Sequence, residues 1–403
     1  MPELRLHRRL DEIPADAWDA LLNRGRHPFT AHAFLSGLES HGCLEAEYGW
    51  TPLHASLWDG DALLAAAPAY AKGNSHGEFV FDHAWANAYS QYGLDYYPKW
   101  LIAVPYSPVT GPRLLAGGLD GKRALLAAMR AAAPKLGLHS VHANFLDAED
   151  LPAFDDGTVD GGWLAREDVQ FYWTRDPAWR DFDDFLAALD HKRRKNLKAD
   201  RRKVADAGIT LRILDGHSAR GAPMAAMHGF YARTFAEKWN HAAMTADFFQ
   251  HLCDAMPEAV VLVLAEREAT GVDGTRTHKP IAGALCLRSD DTLYGRYWGA
   301  AEDVPGLHFE ACYHQGIAYC IEQGLDRFEP GAQGEHKLAR GFLPAATHSR
   351  HWLAEPRFHE ALRRWCAAER ESVRRYRRSL DAHSPFREGT PSPAKTNGRI
   401  PPD

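Results

Sequence analysis

The spacing of apolar residues divides the chain into two halves that repeat one order of predicted elements. The second half predicts a strand, two helices, a meander of three strands, an amphipathic helix and a last strand. Apolar residues alternate in the predicted strands and recur every three to four residues in the predicted helices. These elements span residues 209–214, 224–235, 245–256, 260–266, 281–288, 292–300, 307–324 and 326–331.

The first half predicts a similar order. It contains a hairpin whose turn is Asp59-Gly60-Asp61, a dipeptide pattern typical of tight turns. The other predicted elements are a strand over 4–10, helices over 15–25, 31–40 and 121–137, and a strand over 140–146. We therefore predict a tandem duplication with a boundary near residue 178. One large irregular α/β domain is the alternative.

The predicted fold class is α/β with mixed sheets (α+β), in two tandem domains. These would span residues 1–177 and 178–383, followed by a disordered tail over 384–403 that lacks core-forming residues. Residues 267–280 have no apolar periodicity and predict a long turn between two strands.

Composition narrows the possible classes of protein. The chain has 403 residues, 45% of them hydrophobic and 25% charged, as in soluble globular proteins. A net charge of −6 and a pI near 6.4 argue against a dedicated nucleic-acid binder. No apolar run approaches the roughly 20 residues of a membrane helix, and the N-terminus has no apolar signal core. Six cysteines without metal or disulfide spacing suit the cytoplasm, and we expect no metal.

A dense run of positive charge opens the second half. The segment 191–203 carries eight Lys and Arg residues and a single acid, Asp200. This density could hold the phosphates of a nucleotide-containing donor or of a tRNA backbone. A solvated helix face is the alternative, and charge runs usually have that explanation.

Candidate reactive residues follow in three groups. The segment Arg296–Ala301 fits R-x-x-G-x-A, a short pattern for a loop that presents backbone N–H groups to a pyrophosphate. The next helix carries His308, Glu310 and His314, of which only Glu310 and His314 share a helix face, and two potential ligands make no metal site. The loop after the last strand contains Glu335, His336, Lys337 and Arg340, whose positive charges could stabilise an oxyanion or bind a carboxylate, with structural salt bridges as the alternative.

The first half contains its own concentration of polar and aromatic residues, over 73–100. Among them we select His76, Asp82, His83 and Tyr97 as candidate acceptor-binding residues, because aromatic surfaces with a few polar groups are typical of ligand pockets. A satisfied polar core is equally compatible with this composition. No G-x-S-x-G context is present, so a serine hydrolase is rejected.

Several of these runs resemble one known family. The order of elements over 281–352 resembles the acyl-donor cleft of GNAT acyltransferases. The runs HGEFVFDHAWANAY (76–89), VPYSPVTGPRLL (104–115) and FEPGAQGEHKLARGFLP (328–344) are similar to the bacterial FemAB-like family of that superfamily, whose members are labelled as peptidoglycan biosynthesis or recognition proteins. The resemblance covers about residues 5–380. It implies two tandem GNAT-like domains and transfer of an acyl or aminoacyl group to an amine.

The resulting hypothesis is an N-acyltransferase that uses acyl-CoA or aminoacyl-tRNA as donor, with an amine acceptor such as a peptidoglycan-type peptide. We predict Glu310, His308, His336 and Glu335 as candidate bases, with Glu310 as the first choice, and Tyr297 as the acid for the leaving group. Arg296, Gly299, Lys337 and Arg340 are the predicted donor contacts. The alternative is a non-catalytic module, on a degenerate transferase fold, that binds a muropeptide or a partner protein. The sequence leaves the donor, the acceptor and the oligomeric state open.

Overall fold

A computed structural model describes residues 2–22, 27–155, 162–270, 276–332 and 334–387. Contacts divide the chain into two compact units. Unit 1 contains the residues up to Val169 together with Ala346–Tyr376, and unit 2 contains Gln170–Ala345 and the residues from Arg377 onward. The chain therefore passes from unit 1 into unit 2 after Val169, returns to unit 1 at Ala346 and passes into unit 2 again after Tyr376.

The elements that precede the passage into unit 2 begin with a strand at the N-terminus. In chain order they are β1 (Glu3–His7), α1 (Ala15–Asp19), α2 (His32–Ser40), β2 (Trp50–Pro52), β3 (His54–Asp59), β4 (Ala62–Ala67), β5 (Ala69–Lys72), α3 (His83–Gln91), β6 (Lys99–Ile102), β7 (Leu115–Ala116), α4 (Leu119–Ala132), β8 (Ser140–Leu146) and β9 (Leu164–Thr174).

The elements that follow are longer and begin with helices. They are α5 (Phe182–Ala188), α6 (His191–Asp206), β10 (Ile209–Leu214), α7 (Gly216–Ala219), α8 (Ala222–Glu237), α9 (Ala246–Ala255), β11 (Val260–Thr270), β12 (Arg276–Arg288), β13 (Thr292–Ala300), α10 (Leu307–Phe309), α11 (Gln315–Gln323), β14 (Arg327–Glu329), β15 (Leu343–Leu353) and α12 (Pro356–Asp381). A π-helical turn, Glu310–His314, joins α10 to α11.

Unit 1 contains two sheets that are separated at Pro68. β4 ends at Ala67 and β5 begins at Ala69, and the proline between them has no N–H to donate to a ladder. One sheet has the order β1-β3-β4-β7, and the other runs from β15 through β8, β6 and β5 to β2. Leu125 and Met129 of α4 pack with Trp100 and Val141 in the main core of the unit.

Unit 2 is built on one mixed sheet with the order β10-β11-β12-β13-β14-β9. Neighbouring strands are antiparallel except β13 and β14, which run parallel. The helices begin where the sequence supplies caps: the Asp190 carboxylate accepts a hydrogen bond from the N–H of Arg193 at the start of α6, and Thr245 caps α9 in the same way.

Each unit contains a crossover of the same kind between two parallel strands, which supports the predicted repeat. In unit 1, β6 and β8 are parallel and α4 lies between them in the chain. In unit 2, β13 and β14 are parallel and α11 lies between them. Parallel neighbours require such a crossover, and a helix usually provides it. The predicted fold class, α/β with mixed sheets in two tandem repeats, is confirmed.

Three local expectations differ from the structure. Residues 346–376, which the sequence assigned to the second domain, pack with unit 1 because β15 pairs with β8. The turn expected over 267–280 is shorter, since β11 and β12 pair as far as Thr270 and Arg276 and only 271–275 lie outside the described residues. Of the tail expected to be disordered, Phe386 is buried and stacks on Trp179, while 388–403 lie outside the described residues.

A glycine pair on neighbouring strands sets how closely α8 approaches the sheet of unit 2. Gly283 of β12 is opposite Gly299 of β13. A Cβ atom on Gly299 would lie 2.1 Å from the carbonyl oxygen of Phe230, and a Cβ on Gly283 would lie 2.7 Å from the sulfur of Met227. The absence of side chains at both positions therefore allows the helix backbone to contact the strands.

We expect Gly299→Ala to lower the free energy of unfolding by about 2 kcal/mol or more, because the Phe230 backbone would have to move. Gly229→Ala is the matched control: it lies on the exposed face of α8 with no atom within 4 Å of the added Cβ. Alanine there should raise helix stability by up to about 1 kcal/mol. Urea unfolding followed by circular dichroism measures both, and equal midpoints for the two variants would contradict this account of the glycine pair.

Candidate functional site

The parallel pair of unit 2 is joined over only a short length. β13 and β14 pair at Thr292–Tyr294 and Arg327–Glu329, after which β14 ends and β13 continues to Ala300. At the point of divergence, a Cβ on Gly295 would lie 3.3 Å from the Cα of Pro330. Beyond it, within the described residues, the edge of β13 that faced β14 has no strand partner. We call this unpaired edge, with Pro330 and Gly331 opposite it, the strand opening.

Lys337 places a positive charge beside the strand opening. Its ammonium donates hydrogen bonds to the carbonyl oxygens of Gly331 at 2.6 Å and Ala332 at 3.3 Å, and the side chain is buried. In the part of the chain that the structure describes, it has no carboxylate partner. Burial lowers the pKa of Lys337 to about 8. An uncompensated buried cation is costly in free energy, which makes this residue a functional candidate.

Glu310 and His314 form a buried pair across the π-helical turn. The His314 Nδ1 is 2.9 Å from one Glu310 oxygen, while the Gln315 amide donates to the other at 2.7 Å and the Arg201 Nε is 3.3 Å from it. Burial would raise the pKa of Glu310, but these donors outweigh it and the pKa is lowered. Glu310 is therefore an anion with both oxygens occupied, which makes it a weak base. Inserted π turns are frequent at functional sites.

Two neutral imidazoles lie on the aromatic side of the same turn. His308 packs edge-on against Trp298 and Tyr313, and the Tyr313 hydroxyl is 3.0 Å from the His336 Nε2. Burial lowers the pKa of His308 to about 4, and the positive charges of Arg340 and Lys337 contribute to this shift. Burial and the charges of Arg340 and Lys337 also lower the pKa of His336. Both rings are therefore unprotonated near pH 7 and can accept a proton.

Arg340 connects this group to the basic helix α6. Its guanidinium carbon lies 3.4 Å from the centre of the Phe309 ring, and one nitrogen is 3.5 Å from an Asp200 oxygen. Arg201, the next residue of α6, contacts Glu310 and lies over the Phe182 ring. The structure thus brings together the basic helix, the helix around Glu310 and the loop containing Lys337, which the sequence treated separately.

The segment 296–301 is not the loop that its pattern predicted. Residues 296–300 belong to β13, and Arg296 is the extra residue of a bulge opposite Leu285 and Cys286. Tyr297 packs against Tyr231 and Phe249 of α8 and α9. Gly299 contacts α8 as described above. The loop interpretation is therefore wrong, and the donor roles of Arg296 and Gly299 and the acid role of Tyr297 stay predictions without a contact that favours them.

The structure does not bring the four predicted acceptor residues of unit 1 together in one site. Asp82 and Glu78 both bind the buried ammonium of Lys99, and the Ser75 hydroxyl contacts both Asp82 and Tyr97. Burial alone would raise the pKa of Asp82, but Lys99 lowers it far below its usual value. Asp82 and Tyr97 therefore belong to a satisfied polar core. His76 is exposed, and its backbone oxygen accepts a hydrogen bond from Lys72.

His83 has a different environment from the other predicted acceptor residues, because it lines a cavity of about 370 Å³ that lies within unit 1. Sequence reasoning selected neither Lys99 nor Arg201 individually. Lys99 lies in the selected segment 73–100 and Arg201 in the basic run, so the signal was the cluster and not the residue.

No group of three or more potential metal ligands occurs among the described residues. None of the described helices combines the length and the apolar character needed to span a membrane.

The protein has the fold of two tandem GNAT-like units. In unit 2, a buried lysine lies beside two parallel strands that diverge. A family model described as peptidoglycan biosynthesis/recognition, the FemAB-like family, matches residues 9–388. The chain belongs to this family. The comparison with curated proteins finds no match.

Several solved structures are similar to the chain at low sequence identity. FemX has a TM-score of 0.53 and 10% identity, over 90% of this chain and 100% of its own. The C-terminal domain of a protein described as a lysylphosphatidylglycerol synthetase, from Agrobacterium fabrum, has a TM-score of 0.49 and 11% identity, over 85% and 92%. A tandem GNAT protein from the clavulanic acid biosynthesis pathway has 0.41 and 11%, over 88% and 99%.

We expect Glu310→Gln to lower the free energy of unfolding at neutral pH by about 1–3 kcal/mol, because buried donors lose a charged acceptor. Since the pKa of Glu310 is lowered in the folded protein, its stabilisation is present above the unfolded pKa and is lost as the pH falls below about 4. Glu322→Gln, on the exposed face of α11, is the control. Denaturation at several pH values measures both variants; a constant difference between them across that range would contradict the assigned interaction.

Proposed function

We propose that the chain is an N-acyltransferase that moves an acyl or aminoacyl group from a phosphate-bearing donor to an amine. The observation that carries the proposal is the Lys337 ammonium, buried beside the strand opening with only backbone carbonyls as partners. A fixed cation in a site of low dielectric is suited to a developing oxyanion. Family membership supports the coarser conclusion, a transferase related to peptidoglycan.

The proposed reaction is direct attack of the acceptor nitrogen on the acyl carbon of the donor. The new C–N bond forms as the carbonyl oxygen gains negative charge, which Lys337 would stabilise. The oxyanion then collapses and expels the thiolate or the ribose oxygen of the donor, which takes up a proton. The amine proton goes to a base, and His308 is the best placed of the four predicted groups. It is half-buried and unprotonated, and its ring nitrogens have no hydrogen-bond partner among the described residues.

The strand opening offers a place for an extended donor. The unpaired edge of β13 carries backbone N–H and C=O groups, which can bind the amides of an extended chain as a further strand would. The donors that we propose, acyl-CoA and aminoacyl-tRNA, both carry phosphates. Their phosphates would bind the outer face of α6, where Arg194, Lys195, Lys198 and Arg202 lie within an arc of about 100°.

The acceptor that we propose is an amine, with a peptidoglycan-type peptide as the leading candidate because of the description of the family. The amine must lose its proton before it attacks. A base is most effective when its pKa is near the working pH. Phosphates bound to α6 would raise the pKa of His308 from about 4 toward that value, because negative charge favours the protonated form.

A non-catalytic binding module is the second candidate, and one observation favours it. Without a donor, Glu310, His308 and His336 have lowered pKa values, and Glu310 already uses both of its oxygens. A degenerate transferase that kept the fold for recognition would have these properties. Turnover with any donor separates the two candidates.

We expect Lys337→Met to lower turnover at least tenfold, with acyl-CoA or aminoacyl-tRNA as donor and a peptidoglycan precursor peptide as acceptor, because the oxyanion loses its cation. Lys135→Met, a lysine of unit 1 outside the site, should keep full activity. The assay follows the acylated peptide by mass spectrometry. Unchanged turnover of Lys337→Met would exclude the proposed role. An absence of product from the wild-type chain with every donor would favour the binding module.

The variant Lys337→Met also tests whether the Lys337 ammonium is buried. The pKa of Lys337 is lowered on folding, so between about pH 8 and about pH 10 the unfolded chain binds more protons and the folded wild type gains stability as the pH rises. Relative to Lys337→Met, the wild type should gain about 2 kcal/mol over this range. A difference that stays constant with pH would show that the ammonium is not buried.

We expect the triple variant Lys195→Gln, Lys198→Gln and Arg202→Gln to weaken donor binding at least tenfold and to reduce its dependence on salt, because phosphate contacts are lost. Arg363→Gln, Arg364→Gln and Arg375→Gln on α12 provide a control with the same change of charge. Titrations with tRNA and with CoA at two salt concentrations identify the donor: a loss for tRNA alone favours aminoacyl-tRNA. Equal effects of the two triple variants would contradict a specific phosphate site on α6.

A further inference from the structure

The cavity of about 370 Å³ lies within unit 1, among residues that the proposed chemistry does not use. It is bordered by the segment Phe79–Ala84, by Arg166–Asp168 of β9, by Thr347–Ser349 of β15 and by α12. Three large apolar side chains that line it are exposed to an unusual extent: Phe79 at 37%, Phe81 at 60% and Trp365 at 40%. A concentration of exposed aromatic surface around a concave space is typical of a ligand site.

Two of the lining residues have a backbone conformation that aromatic residues rarely adopt. Phe79 has φ of +60° and Phe145 has φ of +57°. Phe145 is the extra residue of a bulge in β8, since His348 is opposite Leu146 and Ser349 is opposite Asn144. Each such conformation costs about 1–3 kcal/mol and is retained where the surroundings fix it, often at ligand sites.

The aromatic wall is held in place from the interior of unit 1. Glu78 and Asp82, which lie one residue before Phe79 and one residue after Phe81, both bind the ammonium of Lys99, and all three side chains are buried. The Tyr96 hydroxyl also donates to Asp82 at 2.6 Å. The wall is therefore fixed before any ligand binds, which lowers the entropy that binding must overcome.

The charges around the cavity favour a cation. Arg166 donates two hydrogen bonds of 2.7 Å to Glu369, and Arg374 donates two, of 2.8 and 3.1 Å, to Glu167, so these charges cancel in pairs. Asp168 is left over: its carboxylate accepts the N–H of Val169 at 2.7 Å and has no ion-pair partner among the described residues. The lining of the cavity therefore has one carboxylate without an ion-pair partner among the described residues, together with the apolar surface of Phe79, Phe81 and Trp365.

The floor of the cavity adds hydrogen-bonding capacity without positive charge. The Ser349 hydroxyl is 2.9 Å from the His351 Nε2, and the Nδ1 atoms of His351 and His142 are 2.6 Å apart. Burial lowers the pKa of His142 to about 3 and that of His351 well below its usual value, so both rings stay neutral. The two histidines below the cavity therefore add no positive charge to its floor.

We propose that this cavity binds a ligand with an ammonium group on an apolar stem, in which Asp168 is the counter-ion and Phe79, Phe81 and Trp365 surround the stem. An amine is also the kind of acceptor that the proposed reaction consumes, but the binding site in unit 1 does not depend on turnover in unit 2.

Three probes of equal length test the proposal by calorimetric titration of the full chain: n-hexylammonium, hexan-1-ol and hexanoate. We expect the ammonium to bind at least tenfold more tightly than the alcohol and the carboxylate to bind most weakly. Asp168→Asn should remove the advantage of the ammonium over the alcohol. Asp95→Asn, an equal change of charge at an exposed residue of unit 1 that does not line the cavity, should retain it.

Two further variants locate the stem and separate this proposal from the preceding one. Phe81→Ala should weaken the binding of n-hexylammonium and of hexan-1-ol by the same factor, because only apolar contact with the stem is lost. Lys337→Met should bind n-hexylammonium as the wild type does, whatever its turnover. Equal binding of the three probes, an absence of ammonium binding by the folded wild type, or equal behaviour of Asp168→Asn and Asp95→Asn would each overturn the proposed site.

Discussion

Burial of the Lys337 ammonium without a counter-charge is the constraint on which the candidate site of unit 2 depends. The lysine can remain there because the loop after β14 turns two carbonyl oxygens toward it. Gly331 permits that turn with φ of +95°. Burial is the main cause of the lowered pKa values of His308 and His336, and the charges of Arg340 and Lys337 lower them further. The uncompensated cation therefore acts in the same direction as burial and favours unprotonated imidazoles.

Unit 1 contains a second buried lysine in the opposite situation. Lys99 is fully buried but has two carboxylates, and although burial lowers its pKa, Glu78 and Asp82 raise it above its usual value. Such a network of paired charges fixes a segment of backbone and leaves the lysine no uncompensated charge for chemistry. The contrast shows why burial alone does not identify a reactive group: the two lysines are distinguished by what compensates their charge. It also gives the polar run 73–100 a structural purpose, which is to hold the wall of a cavity.

The repeated crossover explains how one fold provides different sites. In each unit a helix connects two parallel strands, and such strands can diverge when one of them is short. In unit 2 the divergence leaves a strand edge beside Lys337. In unit 1 the described cavity instead involves β9, β15 and α12, elements at which the chain leaves that unit and returns to it.

The sequence by itself determined most of the elements, the repeat and the family, because apolar periodicity, the Asp59–Asp61 turn and the long motifs are local properties. It also located the important segments, such as 191–203 and 331–342. Only the tertiary structure decided that residues 346–376 return to unit 1, since strand pairing between distant segments leaves no local signal. The sequence patterns led to two conflicting predictions for 296–300, the end of a strand over 292–300 and a phosphate-binding loop, and the structure decided for the strand, because a short glycine pattern fits both a loop and a helix contact. Finally, the structure showed that the buried charge of Lys99 is paired with carboxylates and that of Lys337 is not. Such pairing depends on neighbours in space, which the order of residues does not reveal.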